Sequence, residues 1–433
     1  MIKCVFAIED EKKKKRERER ERMEMVEDVV IVGAGIAGLA TAVALKRAGI
    51  RSLVLEKAEE LRTTGSALTL FPNAWLALDA LGVSHKLTSL YASNTKGYVT
   101  NVDTGVIQEV VFARNNNGPR VVHRKVLLMA LADELPHNSI RFSSKITAIE
   151  TKTQEGSSIS VLHLDDGTTI KAKVLIGCDG VHSVVGRWLG LGEVVDSGRS
   201  AVRGLSLYPQ GHGFNQEVNQ FLTGGTRAGY VPIDDKQVYW FVACRSKVEE
   251  LATDPKEIQK EITEKFAKNF PERFKDIVEN SDLSTLSWAP LKFRYPWQVL
   301  FGNLCNENIT VAGDAMHPMT PDLGQGGCSA LEDAVVLGRH IATSFIQNGG
   351  LIVPKEMPKV LAKYVQERKW RVTLLIAGSY MSGRVQQGGS VLKFLRDVLF
   401  YKFLLPRVFA KLMNYDCGKL PSVPEFGELD KTK

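Results

Sequence analysis

VVIVGAGIAGLATAVALKRAGIRSLVLE, running from Val29 to Glu56, decides the fold of this chain. Val29 to Val32 is a short β-branched run, the pattern of a strand buried on both faces. Ile36 to Ala48 is rich in alanine and leucine and stops at Gly49, as a helix with a glycine C-cap does. Arg51 to Leu55 reads as a second strand ending at Glu56, which completes a β-α-β unit. Between the first strand and the helix lies Gly33-Ala34-Gly35-Ile36-Ala37-Gly38. Gly33 permits a tight turn, Gly35 lets a pyrophosphate approach the backbone, and Gly38 lets the helix pack on the strand. With Ile36 and Ala37, the helix start offers free N–H groups and a positive dipole end to phosphates. Glu56 follows Gly33 by 23 residues, where a carboxylate accepts both hydroxyls of an adenosine ribose and disfavours a 2′-phosphate. The tightly held nucleotide is therefore expected to be FAD or NAD rather than NADP. Val29 to Leu45 is uncharged for 17 residues, short of the ~20 a membrane span needs.

Outward from this unit, 433 residues allow two or three domains. The net charge of +7 does not arise in the arm: residues 1–28 balance nine basic against nine acidic side chains. A mild basic excess on the folded body fits anionic cofactors and substrates and is too diffuse for nucleic acid. The six cysteines are scattered without C-x-x-C spacing, which argues against a disulfide framework or zinc site and for a reducing, cytoplasmic setting. Residues 1–26, with EKKKKRERERER at Glu11 to Arg22, read as a charged arm outside the fold.

Arg124 to Leu135 has helical periodicity, and Ile140 to Glu150 and Ser157 to Leu164 read as strands, with Asp166-Gly167 as a hairpin turn. Lys173 to Ile176 is an apolar strand running into Cys178-Asp179-Gly180. From Gly192 to Asn303 the texture changes to alternating aromatic and β-branched segments such as Gly229 to Ile233 and Gln237 to Ala243, an antiparallel sheet interrupted by a charged helix over Pro255 to Val278. Tyr230, Tyr239, Trp240 and Phe241 lie there, and alternation sends only some of them toward a pocket. Ile309 to Ala312 resumes a buried strand before Gly313-Asp314 and Gly324-Gln325-Gly326-Gly327, and Ser329 to Ile346 is helical. The expected organisation is α/β: a dinucleotide-binding domain over 27–191 and 304–350, an inserted β-sheet domain over 192–303, and a helical region over 351–433.

Val29 to Glu56, Lys173 to Arg187 and Ile309 to Leu337 together resemble the fingerprints of the single-component FAD-dependent aromatic-hydroxylase-type monooxygenases, the salicylate-hydroxylase-like and zeaxanthin-epoxidase-like enzymes. VAGDAMHPMTPDLGQGGCSALEDAVVL is similar to a plant branch of small monooxygenases. The resemblance implies an interrupted Rossmann-type FAD-binding domain and NADPH or NADH as co-substrate. It also implies insertion of one oxygen atom of O₂ into a small aromatic or isoprenoid substrate by way of a flavin C4a-hydroperoxide. Carried over residue by residue, it places Asp179 and Gly180 by the pyrophosphate and reductant, Asp314 on the ribityl chain, and Pro321 in a rigid loop beside the ring. It sets Gly324, Gln325, Gly326 and Gly327 with their N–H groups at the flavin N1 and C2 carbonyl, and Arg124 at a helix start contacting FAD. Arg62 and Arg294 stand at family-like positions as well, and His317, next to Pro318, suits either a contact with the flavin edge or a structural role. The chain departs from the family at Gly186: the expected arginine is one residue later, Arg187.

No Ser-His-Asp or Cys-His pairing is evident, and the chemistry needs none, because the cofactor is the reactive group. Two rival readings stay open, a flavin oxidase or reductase that releases H₂O₂ and a non-catalytic Rossmann-type partner-binding protein. Val391 to Met413 carries five basic residues among large apolar ones, which suits either an anionic membrane surface or packing on the enzyme's own core. The sequence leaves oligomeric state and substrate identity open.

Overall fold

The structure, a computed structural model, describes residues 26–62, 67–113, 117–154, 156–245, 252–386 and 412–422. The charged arm and nearly all of Val391 to Met413 lie outside the described residues. Val26–Val32 forms the centre of the main sheet, flanked in parallel by Ser52–Leu55 and Thr169–Gly177. Ile309–Val311 extends the sheet beyond Thr169–Gly177, and Ile140–Arg141 extends it beyond Ser52–Leu55, both in parallel. Val29, Val30 and Ile31 are fully buried, as strands covered on both faces must be. The register puts Val32 beside Leu55 and Gly177, and Gly177 beside Val311. The chain therefore leaves the sheet side by side at Gly33, Glu56, Cys178 and Ala312. In open α/β sheets ligands bind in the crevice beyond such carboxyl ends.

The helix Ile36–Arg47 is buried from Ala37 to Leu45 because it lies between this sheet and the long helix Gly326–Gln347. A methyl on Gly338 would stand 2.5 Å from the Ala44 side chain, so the two helices meet through small residues. Each fully buried valine or leucine here contributes roughly 1.5–3 kcal/mol. Expected and observed boundaries agree closely over this unit, with Ala48 as C-cap and Gly49 at φ 76°. Ile140 to Glu150 is not one strand: Ile140–Arg141 and Ile146–Gln154 are separated where Ser143 and Ser144 donate their N–H groups to the Ala58 and Glu56 carbonyls. The bend buttresses the end of the second strand.

Among the described residues the second sheet has seven strands, in the order Ser287–Phe293, Val195–Leu207, Gln237–Arg245, Thr226–Pro232, Val218–Thr223, Lys96–Asn101, Ile107–Val111. Its last two strands come from well before residue 192, so it draws on two stretches of chain. Val218–Thr223 and Lys96–Asn101 pair in parallel, and the other pairs are antiparallel. Alternation sends Tyr230 and Trp240 into a separate small core with Phe221, Phe270 and Phe274, and turns Tyr239 and Phe241 toward the main core. The charged helix over Pro255 to Val278 is instead Pro255–Glu261, a π-helical turn Ile262–Phe266, and Glu272–Glu279. Pro271 cannot continue a helix and starts the next one. The helix Met357–Gln386 crosses behind Gly326–Gln347, and beyond Asn414 residues 415–422 are irregular.

Candidate active site

The three glycine-bearing segments meet at the carboxyl edge of the main sheet. Gly33 adopts φ 102°, and a methyl on it would lie 2.5 Å from the Cys178 carbonyl oxygen. A methyl on Gly38 would lie 1.9 Å from the Gly33 oxygen, and one on Gly313 would lie 2.7 Å from the Ala37 Cβ. Ile36 in turn reaches Gly327, whose added methyl would stand 3.7 Å from the isoleucine Cδ1. The contrast is at Gly35 and Gly180, where an added methyl meets nothing within 4 Å, and at Gly326, where it meets only Asp314 Oδ1 at 3.9 Å. Each of these three glycines thus has open space beside it, and the contacts above gather their segments at one edge of the sheet. Such a cradle, with a helix start at each of Ile36 and Gly326, fits a dinucleotide with phosphates at one end and an electron-rich ring at the other.

Charged groups border the same ground. Glu56 is 3% exposed; its oxygens accept from the Ala34 and Ala58 N–H groups at 2.8 and 3.0 Å, and Arg62 Nε stands 3.7 Å away. The carboxylate therefore fixes the glycine turn, and each oxygen keeps a second lone pair for a hydroxyl. Arg124 opens the helix Arg124–Ala132 and donates to the Arg62 carbonyl at 2.5 Å. Burial and Arg62 lower its pKa, opposed by Asp314 and Glu56. Asp314 is accessible from the open ground yet ringed by protein. Burial pushes its carboxyl up against the pull of His317 and Arg124, and Asp333 pushes it further.

The middle segment is differently employed. Asp179 accepts from Ser183 Oγ at 2.5 Å and from the Val184 and Val185 N–H groups at 2.6 and 3.4 Å, while Ser183 accepts from the Gly186 N–H at 2.7 Å. Both side chains cap the short helix Val184–Trp188, so what faces the cradle is Gly180. Gly186 has a physical reason for its size. A methyl there would stand 3.2 Å from Ser183 Oγ and 3.3 Å from the Ala315 carbonyl oxygen, and Arg187 is exposed.

In the late segment Gly324 takes φ 64° after the turn Pro321–Leu323, under the Phe71 ring. Pro321 is exposed beside it. Gln325 is fully buried, its side chain turned inward to Asn73 and Met413, so its backbone alone borders the cradle. His317 is also fully buried, Nε2 lying 2.5 Å from Asp333 Oδ2. Asp333 also accepts from the Gly313 N–H at 2.9 Å and from Arg368 Nε at 2.7 Å. Burial alone would raise the Asp333 carboxyl, but His317, Arg368 and these hydrogen bonds outweigh it and hold it at about 2. Arg294 donates to the Gly192 and Ala315 carbonyls and so pins the Asp314 turn from behind.

Sequence reasoning passed over the groups that tie this edge to the second sheet and the C-terminal helix. Arg199 grips Asp322 with two hydrogen bonds at 2.9 and 2.6 Å, and Arg227 donates to the Asp322 carbonyl at 3.0 Å. Burial raises the Asp322 carboxyl and the two arginines more than reverse this. Glu332 is fully buried against Arg368 and Arg371. The signal available was the Glu332-Asp333 pair inside an otherwise apolar helix, since buried charges need partners. Among the described residues no His, Cys, Asp or Glu group could hold a metal.

Residues 27–379 match the family model described as FAD binding domain. The chain is 44% identical over 407 residues to Monooxygenase 2 of Arabidopsis thaliana, covering 91% of this chain and 98% of that protein. It is 38% identical over 396 residues to Monooxygenase 1 of the same plant, covering 90% and 99%. Among solved structures it is similar to Klebsiella pneumoniae HpxO complexed with FAD and uric acid, with a TM-score of 0.76, 23% identity, and 90% and 96% of the two chains covered. That likeness speaks to the fold.

Proposed function

This chain belongs to the FAD-binding-domain family and is an FAD-dependent monooxygenase, and from that premise we propose that it uses NAD(P)H and O₂ to oxygenate a small aromatic or isoprenoid substrate. The observation that carries the reading is the cradle bordered by Gly35, Gly180 and Gly326. FAD bound there would supply the redox and oxygen-activating chemistry. Gly33 to Gly38 would take the pyrophosphate on backbone N–H groups, with Glu56 accepting from the adenosine ribose and Arg124 adding positive charge. Asp314 would accept from the ribityl hydroxyls, and the first N–H groups of Gly326–Gln347 would face the anionic side of the reduced ring. Tyr239 and Phe241, on the face of the second sheet turned to the main core, would wall the substrate side and exclude water, which protects reactive oxygen species from wasteful decay.

The alternative is a flavin oxidase or reductase that releases H₂O₂. NAD(P)H oxidation by the FAD-loaded protein across phenolic and isoprenoid candidates separates the two. A substrate that raises the rate and forms product in step with NAD(P)H consumption supports oxygenation; complete uncoupling with every candidate would sink it. A cytoplasmic setting goes with this reading, supported by the described cysteines, which are all free thiols. Among the described residues no helix is long and apolar enough to cross a membrane. The reading includes no nucleic-acid partner.

A further inference from the structure

Residues 412–415 lie against the helix whose start carries the late glycines, and they reach that start through side chains the proposed chemistry does not use. Arg371, on Met357–Gln386, donates to both Glu332 oxygens at 2.7 and 2.5 Å and to the Leu412 carbonyl at 2.9 Å. Its guanidinium also lies over the Tyr415 ring, 4.0 Å from the centroid. Asn73 Nδ2 bridges Glu332 and Gln325 at 2.6 and 2.8 Å. Gln325 Nε2 then closes the circuit by donating to the Met413 sulfur at 2.7 Å. Gln325, Glu332, Asn73 and Met413 are all 4% exposed or less. The residue immediately before Gly326 is thus held from Asn73 on one side and from the C-terminal segment on the other. A buried amide in that position cannot shift without leaving polar atoms unpaired.

We infer that residues 412–415 form a clasp that positions the flavin-facing end of Gly326–Gln347, with Arg371, Met413 and Tyr415 as positioning residues. The inference rests on the reading that Gly324 to Gly327 face the flavin. Through Gln325 the clasp sets where the N–H groups of Gly326 and Gly327 point, and so how firmly they hold FAD and how far they favour its reduced, more negative form. Residues 412–415 are separated from those glycines by some 85 residues of sequence and reach them through this circuit.

The test uses the full-length, FAD-loaded chain and the variants Met413→Leu, Tyr415→Ala and Tyr415→Phe. FAD affinity is read from flavin fluorescence, the midpoint potential of the bound FAD by reductive titration, and the apoprotein Tm as a measure of folding. Met413→Leu keeps volume and removes only the sulfur acceptor. Met413→Leu and Tyr415→Ala should each weaken FAD by about tenfold, the scale seen when an outer-shell partner of a binding group is lost, and make the potential more negative. Tyr415→Phe keeps the ring under Arg371 and should match the parent in both. Unchanged affinity and potential in Met413→Leu and Tyr415→Ala overturn the clasp, as do losses that merely track apoprotein Tm in all variants. Gly326→Leu, which fills the cradle, keeps the two ideas apart. If it binds FAD normally, the flavin-facing loop itself is misread; if it loses FAD while Met413→Leu and Tyr415→Ala do not, only the clasp fails.

Discussion

Gly33 and Gly35 stand two residues apart and have opposite reasons to be glycine. Gly33 is in left-handed backbone with the Cys178 carbonyl 2.5 Å from where a Cβ would be, so Gly33→Ala adds strain of about 1–3 kcal/mol and a backbone clash on top. Gly35 has an ordinary φ of −80° and open space around it, so Gly35→Val should cost the fold only about 1 kcal/mol through a poorer N-cap while blocking the proposed pyrophosphate site. The expected outcome is a protein that melts close to the parent apoprotein yet purifies without visible flavin absorbance; Gly33→Ala should lose both flavin and several degrees of Tm. Asp333 gives a prediction in pH. Its carboxyl is held at about 2 against an ordinary 3.8, so the unfolded chain takes up the proton first. Its contribution is complete above about pH 4 and is lost as pH falls from there to about 2, an amount on the order of 2 kcal/mol. Denaturant unfolding at a series of pH values should show that slope in the parent and a shallower one in Asp333→Asn. Equal slopes would remove Asp333 from the account.

Between elements, the pairing of Arg199 with Asp322 fastens the strand Val195–Leu207 to the turn Pro321–Leu323, and both side chains are at most 6% exposed. The same guanidinium occupies the space beside Gly383 of the C-terminal helix, where a methyl would come within 2.2 Å of it. Arg199→Met strips the buried Asp322 carboxylate of its two hydrogen bonds from Arg199 and leaves Arg227 3.7 Å away as its ion-pair partner. It should therefore cost less than the ~3–5 kcal/mol of a fully uncompensated buried charge, and the double change to Met at 199 and Leu at 322 should recover much of it. Thermal unfolding of the three proteins decides; a double variant no better than the single would mean that packing, and not the weakened pairing of the charge, sets the cost. This pair also marks what a sequence can disclose. The β-α-β unit was legible because its strand, glycines, helix and Glu56 fall within 28 consecutive residues and each follows from local periodicity. Arg199 and Asp322 are 123 residues apart, and nothing local in either segment names the other. Lys96–Asn101 draws no reading from its sequence, and its pairing with Val218–Thr223 is a choice of tertiary partner. Gln325 shows the same limit within a motif: position predicted nearness to the cradle, but Asn73 and Met413 decide that its side chain turns inward.

At the scale of the molecule, FAD in the proposed pose would touch segments that the chain itself joins only at long range. Gly33 to Gly38, Gly180 and Gly313 to Gly327 are separated by well over 100 residues each, with five of the second sheet's seven described strands lying between the last two. A ligand that binds only the folded state stabilises it by RT ln(1 + [L]/Kd), about 2.7 kcal/mol at a hundredfold excess over Kd. With about 2.1 cal/mol/K of unfolding entropy per residue, a chain of this size would gain roughly 3 °C in Tm. Because Arg199 and Asp322 tie the late segment to the second sheet, the gain should appear as one cooperative transition moving upward, with protease cleavage after residue 192 slowed together with cleavage near Gly33. The measurement is a melting curve and a limited-proteolysis time course at increasing FAD. AMP alone, which fills only the end at Glu56, should give a smaller shift and leave cleavage near the late glycines unchanged. If AMP reproduced the whole effect, the late segment would have no share in holding the dinucleotide, and the assignment of Asp314 and Gly324 to Gly327 would fail with it. If FAD instead split the melt into two transitions, the two sheets would be independent units and Arg199 with Asp322 would not couple them.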